Sequence, residues 1–119
     1  MNLSNIPVNY EALHKDAVDT EREAYRKVKK IKIRKDILLY IYIARNSASL
    51  GSTGSELATT LGKILNTVRA RLTELEGDGY IMKSDMRRKN ANDNNEIVYT
   101  ITPYGIVTVE KLLKENAYE

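Results

Sequence analysis

Between Thr53 and Gly79 the chain spells out two helix beginnings and two helix ends, with a three-residue turn between the helices. Thr53-Gly-Ser-Glu56 reads as a capping box. The Thr53 hydroxyl is set to accept an N–H of the first turn, and the Glu56 carboxylate to reach back to the N-cap amide. The helix it opens, Gly54–Leu61, buries Leu57, Ala58 and Leu61. Gly62 supplies its C-cap, because glycine enters the left-handed region without strain. The turn Gly62-Lys63-Ile64 leads to Asn66, read as the next N-cap. Helix Thr67–Glu76 then buries Val68, Leu72 and Leu75 before Gly77-Asp78-Gly79 ends it.

The flanking segments complete the pattern. Ile33–Asn46 reads as a strongly apolar helix, with Ile37, Leu38, Ile41 and Ala44 at helical spacing. Tyr80–Asp85 and Glu96–Thr102 read as two strands of a hairpin, joined by a basic and then Asn-rich tip, Arg87–Asn95. Thr102-Pro103 pairs an N-cap with proline at the first helical position. The last helix runs from there to about Asn116, with Ile106, Val109, Leu112 and Leu113 as its apolar face. At the other end, residues 1–9 read as a tail. From about Tyr10 to Lys32 a charged helix shows only a sparse apolar stripe: Ala17, Val18, Tyr25, Val28 and Ile31. The reading is therefore a tail and helical extension over 1–32, and a single domain over 33–119. The fold class is α+β, mostly α: two helices across a short turn, followed by a basic hairpin, which is a winged helix-turn-helix with an N-terminal helical extension.

The run Glu56-Leu57-Ala58 to Leu61, then Asn66-Thr67-Val68-Arg69-Ala70-Arg71-Leu72 to Gly79-Tyr80-Ile81, resembles winged helix-turn-helix regulators of the MarR-like kind. Ile101-Thr102-Pro103-Tyr104-Gly105 looks like their strand-to-helix junction. The resemblance covers about residues 36–115. Thr67–Leu72 followed by a basic wing also resembles small phage-encoded winged-helix proteins. These resemblances imply a double-stranded DNA partner.

Composition narrows the chemistry. With no Cys there is no thiol catalysis and no thiolate metal site, and the single His, His14, stands among charges. Gly51-Ser-Thr-Gly54 lacks the Lys and the preceding strand of a phosphate-binding loop. Glu74, Glu76 and Asp78 surround a helix end rather than sharing an apolar pocket. Neither an enzyme nor a cofactor or metal is expected. The net charge is +3. Its sharpest concentration is Arg26–Lys35, where seven of ten residues are Lys or Arg. That run reads equally as a DNA-backbone clamp or as a solvated helix face. No apolar run is long enough to span a bilayer and no export signal is visible, so a cytoplasmic protein without a membrane partner is expected, in a prokaryotic cell or in a phage's host.

The second helix of the pair carries the functional reading. At about 100° per residue, Val68, Leu72 and Leu75 point one way, and Asn66, Ala70 and Thr73 the other. Thr67 and Arg69 flank that second face. Short polar and small residues let a helix sit deep in the major groove, where Asn reads adenine, Arg reads guanine and Ala meets a thymine methyl. Phosphate contacts are expected from Ser55, Lys63, Arg71 and the wing residues Arg87, Arg88 and Lys89. The competing reading is an amphipathic helix with a solvated face and a solubilising hairpin tip. The expected function is sequence-specific double-stranded DNA binding by a small transcriptional regulator. A replication or maintenance factor at a phage or plasmid origin and a winged-helix adaptor between proteins are the alternatives. One winged helix reads few base pairs, so a homodimer joined by the extension and the last helix is expected.

Overall fold

The apolar residues around Ile37 form the buried face of a helix much longer than their own run. In the computed structural model, which describes residues 18–116, helix α1 extends unbroken from Val18 to Ala44. The two helices read on either side of residue 32 are one helix. No Gly or Pro lies between Val18 and Ala44, and Lys, Arg and Leu all favour helix, so nothing ends it at Lys32. The 32/33 division thus falls inside α1. The tail, the helix start near Tyr10, His14 and Ala17 lie outside the described residues.

The remaining elements are α2 (Gly54–Leu61), α3 (Leu65–Gly77), β1 (Ile81–Lys89), β2 (Asn95–Ile101) and α4 (Pro103–Asn116). One core joins them. Ile33, Ile37, Leu38 and Ile41 of α1 meet Leu57 of α2, Val68, Leu72 and Leu75 of α3, and Tyr80, Ile81, Ile101 and Val109. The helical members of this core are the apolar positions that the helical periodicity places on one face.

Both halves of the capping box are present at α2, and Gly62 closes the helix at φ 64°, ψ 36°. The start of α3 differs from expectation. Ile64, not Asn66, is the N-cap, and no side chain caps it. The Ile64 carbonyl accepts from Thr67 and Val68, so the helix begins earlier and Asn66 falls within its first turn.

The hairpin is also longer than read. β1 continues to Lys89 past an irregularity between Lys83 and Arg87, and it pairs antiparallel with β2 through Arg87–Ile97, Arg88–Glu96 and Lys89–Asn95. The basic residues belong to a strand, and the turn proper is Asn90–Asn94. There the Asn90 side-chain oxygen accepts from the Asn92 and Asn94 amides, and Asp93 takes a φ of 62°. A short third strand segment is made by Ser52, which exchanges backbone hydrogen bonds with Tyr99 at 3.0 and 2.8 Å. A Cβ on Gly51 would run into the Tyr99 carbonyl, so this bridge requires glycine. At the other end of the sheet Thr102 caps α4 by accepting from the Gly105 amide at 3.0 Å.

Candidate nucleic-acid interface

Helix α3 sorts its residues by face as the periodicity demands. Val68, Leu72 and Leu75 are buried, Asn66, Arg69, Ala70 and Thr73 are exposed, and Thr67 is half-buried between them. The Thr73 hydroxyl turns back to donate to the Arg69 carbonyl at 3.0 Å, which leaves its methyl and an oxygen lone pair on the exposed face. A cleft separates this face from the wing, lined by Arg69, Thr73, Asn95, Glu96, Ile97 and Tyr99.

Arg71 has a different place from the one expected for a phosphate ligand. It is buried between α3 and α1, with Nη2 2.9 Å from the Glu74 carboxylate. Arg34 of α1 reaches the same carboxylate at 3.6 Å. Glu74 is thereby shared by two guanidinium groups, and Glu76 faces Lys83 of β1 at 3.8 Å. Neither acid stands on the exposed face of Asn66 and Arg69.

Arg88 is likewise engaged within the fold. Alternation along β1 sends Arg87 and Lys89 to solvent and Arg88 toward α2. Its guanidinium donates to Glu56 from Nε and Nη2, to the Ser49 carbonyl from Nη1 and to the Gly51 carbonyl from Nη2. The group is occupied and has no donor fork left for a phosphate. Arg88 holds the Glu56 carboxyl below the usual carboxylate range, and the Arg88 charge is itself stabilised in return.

Ser55 is likewise engaged. Its hydroxyl and its amide both donate to Glu96, and Asn90 adds a bond to the same carboxylate at 2.8 Å. Burial raises the Glu96 pKa, but the bonds from Ser55 and Asn90 and the nearby Arg69 charge outweigh it, so the carboxyl sits below its ordinary value. The wing turn therefore folds toward α2. Among the expected contacts, Lys63, Asn66, Arg69, Ala70, Thr73, Arg87 and Lys89 are exposed, although Arg87 also donates to two backbone carbonyls and Lys89 pairs with Asp93 at 3.2 Å.

Glu56 and Glu96 are the residues that sequence reasoning missed as parts of this surface. The capping box announced one role of Glu56 but not its partner in the wing. Glu96 could have been placed only by knowing the hairpin register, which the irregularity in β1 hides. Ile64, the last residue of the expected turn Gly62–Ile64, stands 74% exposed at the head of α3.

No family profile matches the sequence, and no curated protein matches it significantly. Solved structures do. A single-site variant of MepR from Staphylococcus aureus matches with a TM-score of 0.57 over 84% of this chain and 70% of its own, at 23% identity. The S. aureus MepR–DNA complex matches with a TM-score of 0.53 over 80% and 76%, at 22% identity. A variant of Lactococcus lactis ZitR gives 0.51 over 73% and 53%, at 16% identity. The fold is a MarR-like winged helix. In winged-helix terms α2 and α3 are the helix-turn-helix pair and β1–β2 is the wing. MepR itself is described as a transcription regulator of a multidrug efflux pump. The likeness to phage-encoded winged-helix proteins gains no support from these structures.

Proposed function

We propose that this chain binds double-stranded DNA in a sequence-specific manner and acts as a small transcriptional regulator, without catalysis or a cofactor. One observation carries the reading most. The exposed face of α3 joins short side chains to a single exposed Arg and carries no acidic residue of the helix itself, with Glu96 across the cleft and Arg87 and Lys89 turned outward on the wing. Such a face enters a major groove without steric conflict. Asn66, Thr67, Arg69, Ala70 and Thr73 read bases. Lys63, Arg87 and Lys89 meet phosphates, whereas Arg71, Arg88 and Ser55 hold the domain together instead. The fold likeness extends to a solved MepR–DNA complex, which adds weight to DNA over a protein partner.

In this reading residues 1–32 extend the 33–119 domain as a dimerising arm with α4, two copies read a palindrome, and the protein works in the cytoplasm. No helix among the described residues is long and apolar enough to cross a membrane. A binding-site selection with the purified full chain and random duplexes tests the function. An enriched motif with two-fold symmetry is expected, with half-sites about one helical turn apart or a multiple of it. Recovery of random sequence only, at a salt concentration where non-specific binding is weak, would overturn it.

A further inference from the structure

The cleft between α3 and the wing is lined by one cation, Arg69 on α3, and one anion, Glu96 on β2. The two differ in freedom. Glu96 is fixed: the Ser55 amide donates to its Oε1 at 3.2 Å, and the Ser55 hydroxyl and, at 2.8 Å, the Asn90 side-chain amide donate to its Oε2. The carboxylate thereby stands at the first turn of α2, whose unpaired N–H groups favour negative charge. Burial raises its pKa, yet these bonds and the field of Arg69 leave the carboxyl below its ordinary value, so it is charged at neutral pH. Oε2 has both lone pairs taken, while Oε1 keeps one open. Arg69 by contrast is exposed, and among the described residues it has no ion-pair partner.

We propose that Glu96 is a positioning residue for Arg69: with α3 in a major groove, the open lone pair of Oε1 holds one edge of the Arg69 guanidinium and leaves the other edge to a guanine. This rests on the base-reading role of Arg69 given above and names what sets its direction. A guanidinium has five N–H donors, and a guanine takes only two of them, so one group can serve both partners. A long side chain drawn toward a fixed acid has fewer rotamers to lose when DNA arrives. The acid also works against the wrong contact. An Arg69 that swung out to a phosphate would leave Glu96 uncompensated beside the DNA, whereas one that reads a base edge from within the cleft keeps it neutralised.

Glu96→Gln in the full chain tests this, read by fluorescence anisotropy on the selected duplex, its single-base variants and a scrambled duplex at matched salt. The amide keeps the shape and an oxygen for Ser55 but lacks the charge. Discrimination at the base pair that Arg69 reads is expected to fall about three- to tenfold. Affinity for the scrambled duplex is expected to hold or rise, since a negative charge leaves the side facing DNA. In an Arg69→Ala background the same change is expected to leave discrimination at that pair unaltered, because the positioned group is gone. A carboxylate that merely pins the wing predicts otherwise: selected and scrambled duplexes weaken alike, with discrimination kept. That result overturns the inference alone, as does a loss of discrimination that persists at full size without Arg69. If Arg69→Ala by itself alters no base preference, the groove reading of Arg69 fails and the inference with it. Should Glu96→Gln lose its helical circular dichroism, Glu96→Asp decides. It keeps the charge but withdraws it by one methylene, so the same loss of discrimination is expected, and parent-like discrimination overturns the inference.

Discussion

Arg88 donates to Glu56 at 2.8 Å from Nε and at 2.6 Å from Nη2, and the same carboxylate accepts the Thr53 amide at 3.1 Å at the start of α2. One acid thus caps a helix and anchors a wing strand. The wing is fixed to the helix-turn-helix by a charge-assisted fork, which gives the contact a defined geometry as well as energy.

Arg88→Ala is therefore expected to destabilise the fold, by about 1–3 kcal/mol, since it leaves two carbonyls and a carboxylate short of donors. Arg87→Ala, one residue away on the solvent side, is expected to change stability by no more than about 0.5 kcal/mol. Urea denaturation of both variants makes the comparison. Equal stabilities would show that the Arg88 contacts contribute nothing net.

Acid should weaken the same region. The Glu56 and Glu96 carboxyls sit below the ordinary value of 4.5 in the folded chain. A carboxyl whose folded pKa is depressed contributes stability above its unfolded pKa, and that contribution is lost as pH falls through the folded value. Thermal stability is expected to be flat from pH 7 to about 5 and to drop below about 4.5. The Glu56→Gln, Glu96→Gln double variant should start lower at pH 7 and lose less on acidification. Parallel curves for the two proteins would remove these acids as the cause.

Arg69→Ala is expected to weaken binding to the selected site by about 1–3 kcal/mol and to relax preference at one base pair. Fluorescence anisotropy with the selected duplex and its single-base variants measures both effects at matched salt. Parent-like affinity for the selected site would refute groove contact by Arg69.

The wing is expected to act through phosphates. Arg87 and Lys89 share the outward side of β1, and replacing both with Ala should weaken selected and scrambled duplexes by similar factors. The slope of log affinity against log salt should flatten by up to about 0.9 for each phosphate that the wing no longer neutralises. A weakening confined to the selected site, together with a relaxed flanking A·T preference, would mean minor-groove reading instead. Titrations at three salt concentrations separate the outcomes, and an unchanged slope and affinity would leave the wing off the DNA.

Local signals carried most of the fold. The capping box at Thr53 and Glu56, the Gly62 stop, the Thr102-Pro103 start and the face of α3 all follow from residues within one or two turns of each other, whereas on α4 Val109 is buried and Ile106 packs beside it but Leu113 is 45% exposed. The misread features were the non-local ones. Nothing in the sequence of β1 marks where Arg87–Lys89 pair with Ile97–Asn95, so this part of the strand looks like a loop tip in sequence. Nor does an isolated Arg state its partner: Arg71, Arg88 and Arg69 look alike in sequence. They differ because Glu74 and Glu56 stand in front of Arg71 and Arg88, whereas Arg69 is exposed at the cleft it shares with Glu96. The continuity of α1 was missed for an opposite reason. A change from polar to apolar composition at residue 33 marks where the domain begins to cover the helix, not where the helix starts.

That continuity has a mechanical consequence. A helix of 27 residues is about 40 Å long, and near its middle Arg34 is tied to α3 through Glu74. It behaves as one arm of a caliper, whose angle to the rest of the domain is set at the hinge point and carried rigidly to the tip. One residue inserted between Val28 and Arg34 would swing everything before it by about 100° while leaving the domain intact. In the two-copy reading proposed above, the relative rotation of the two domains would then depend on the length and phase of α1 as well as on α4.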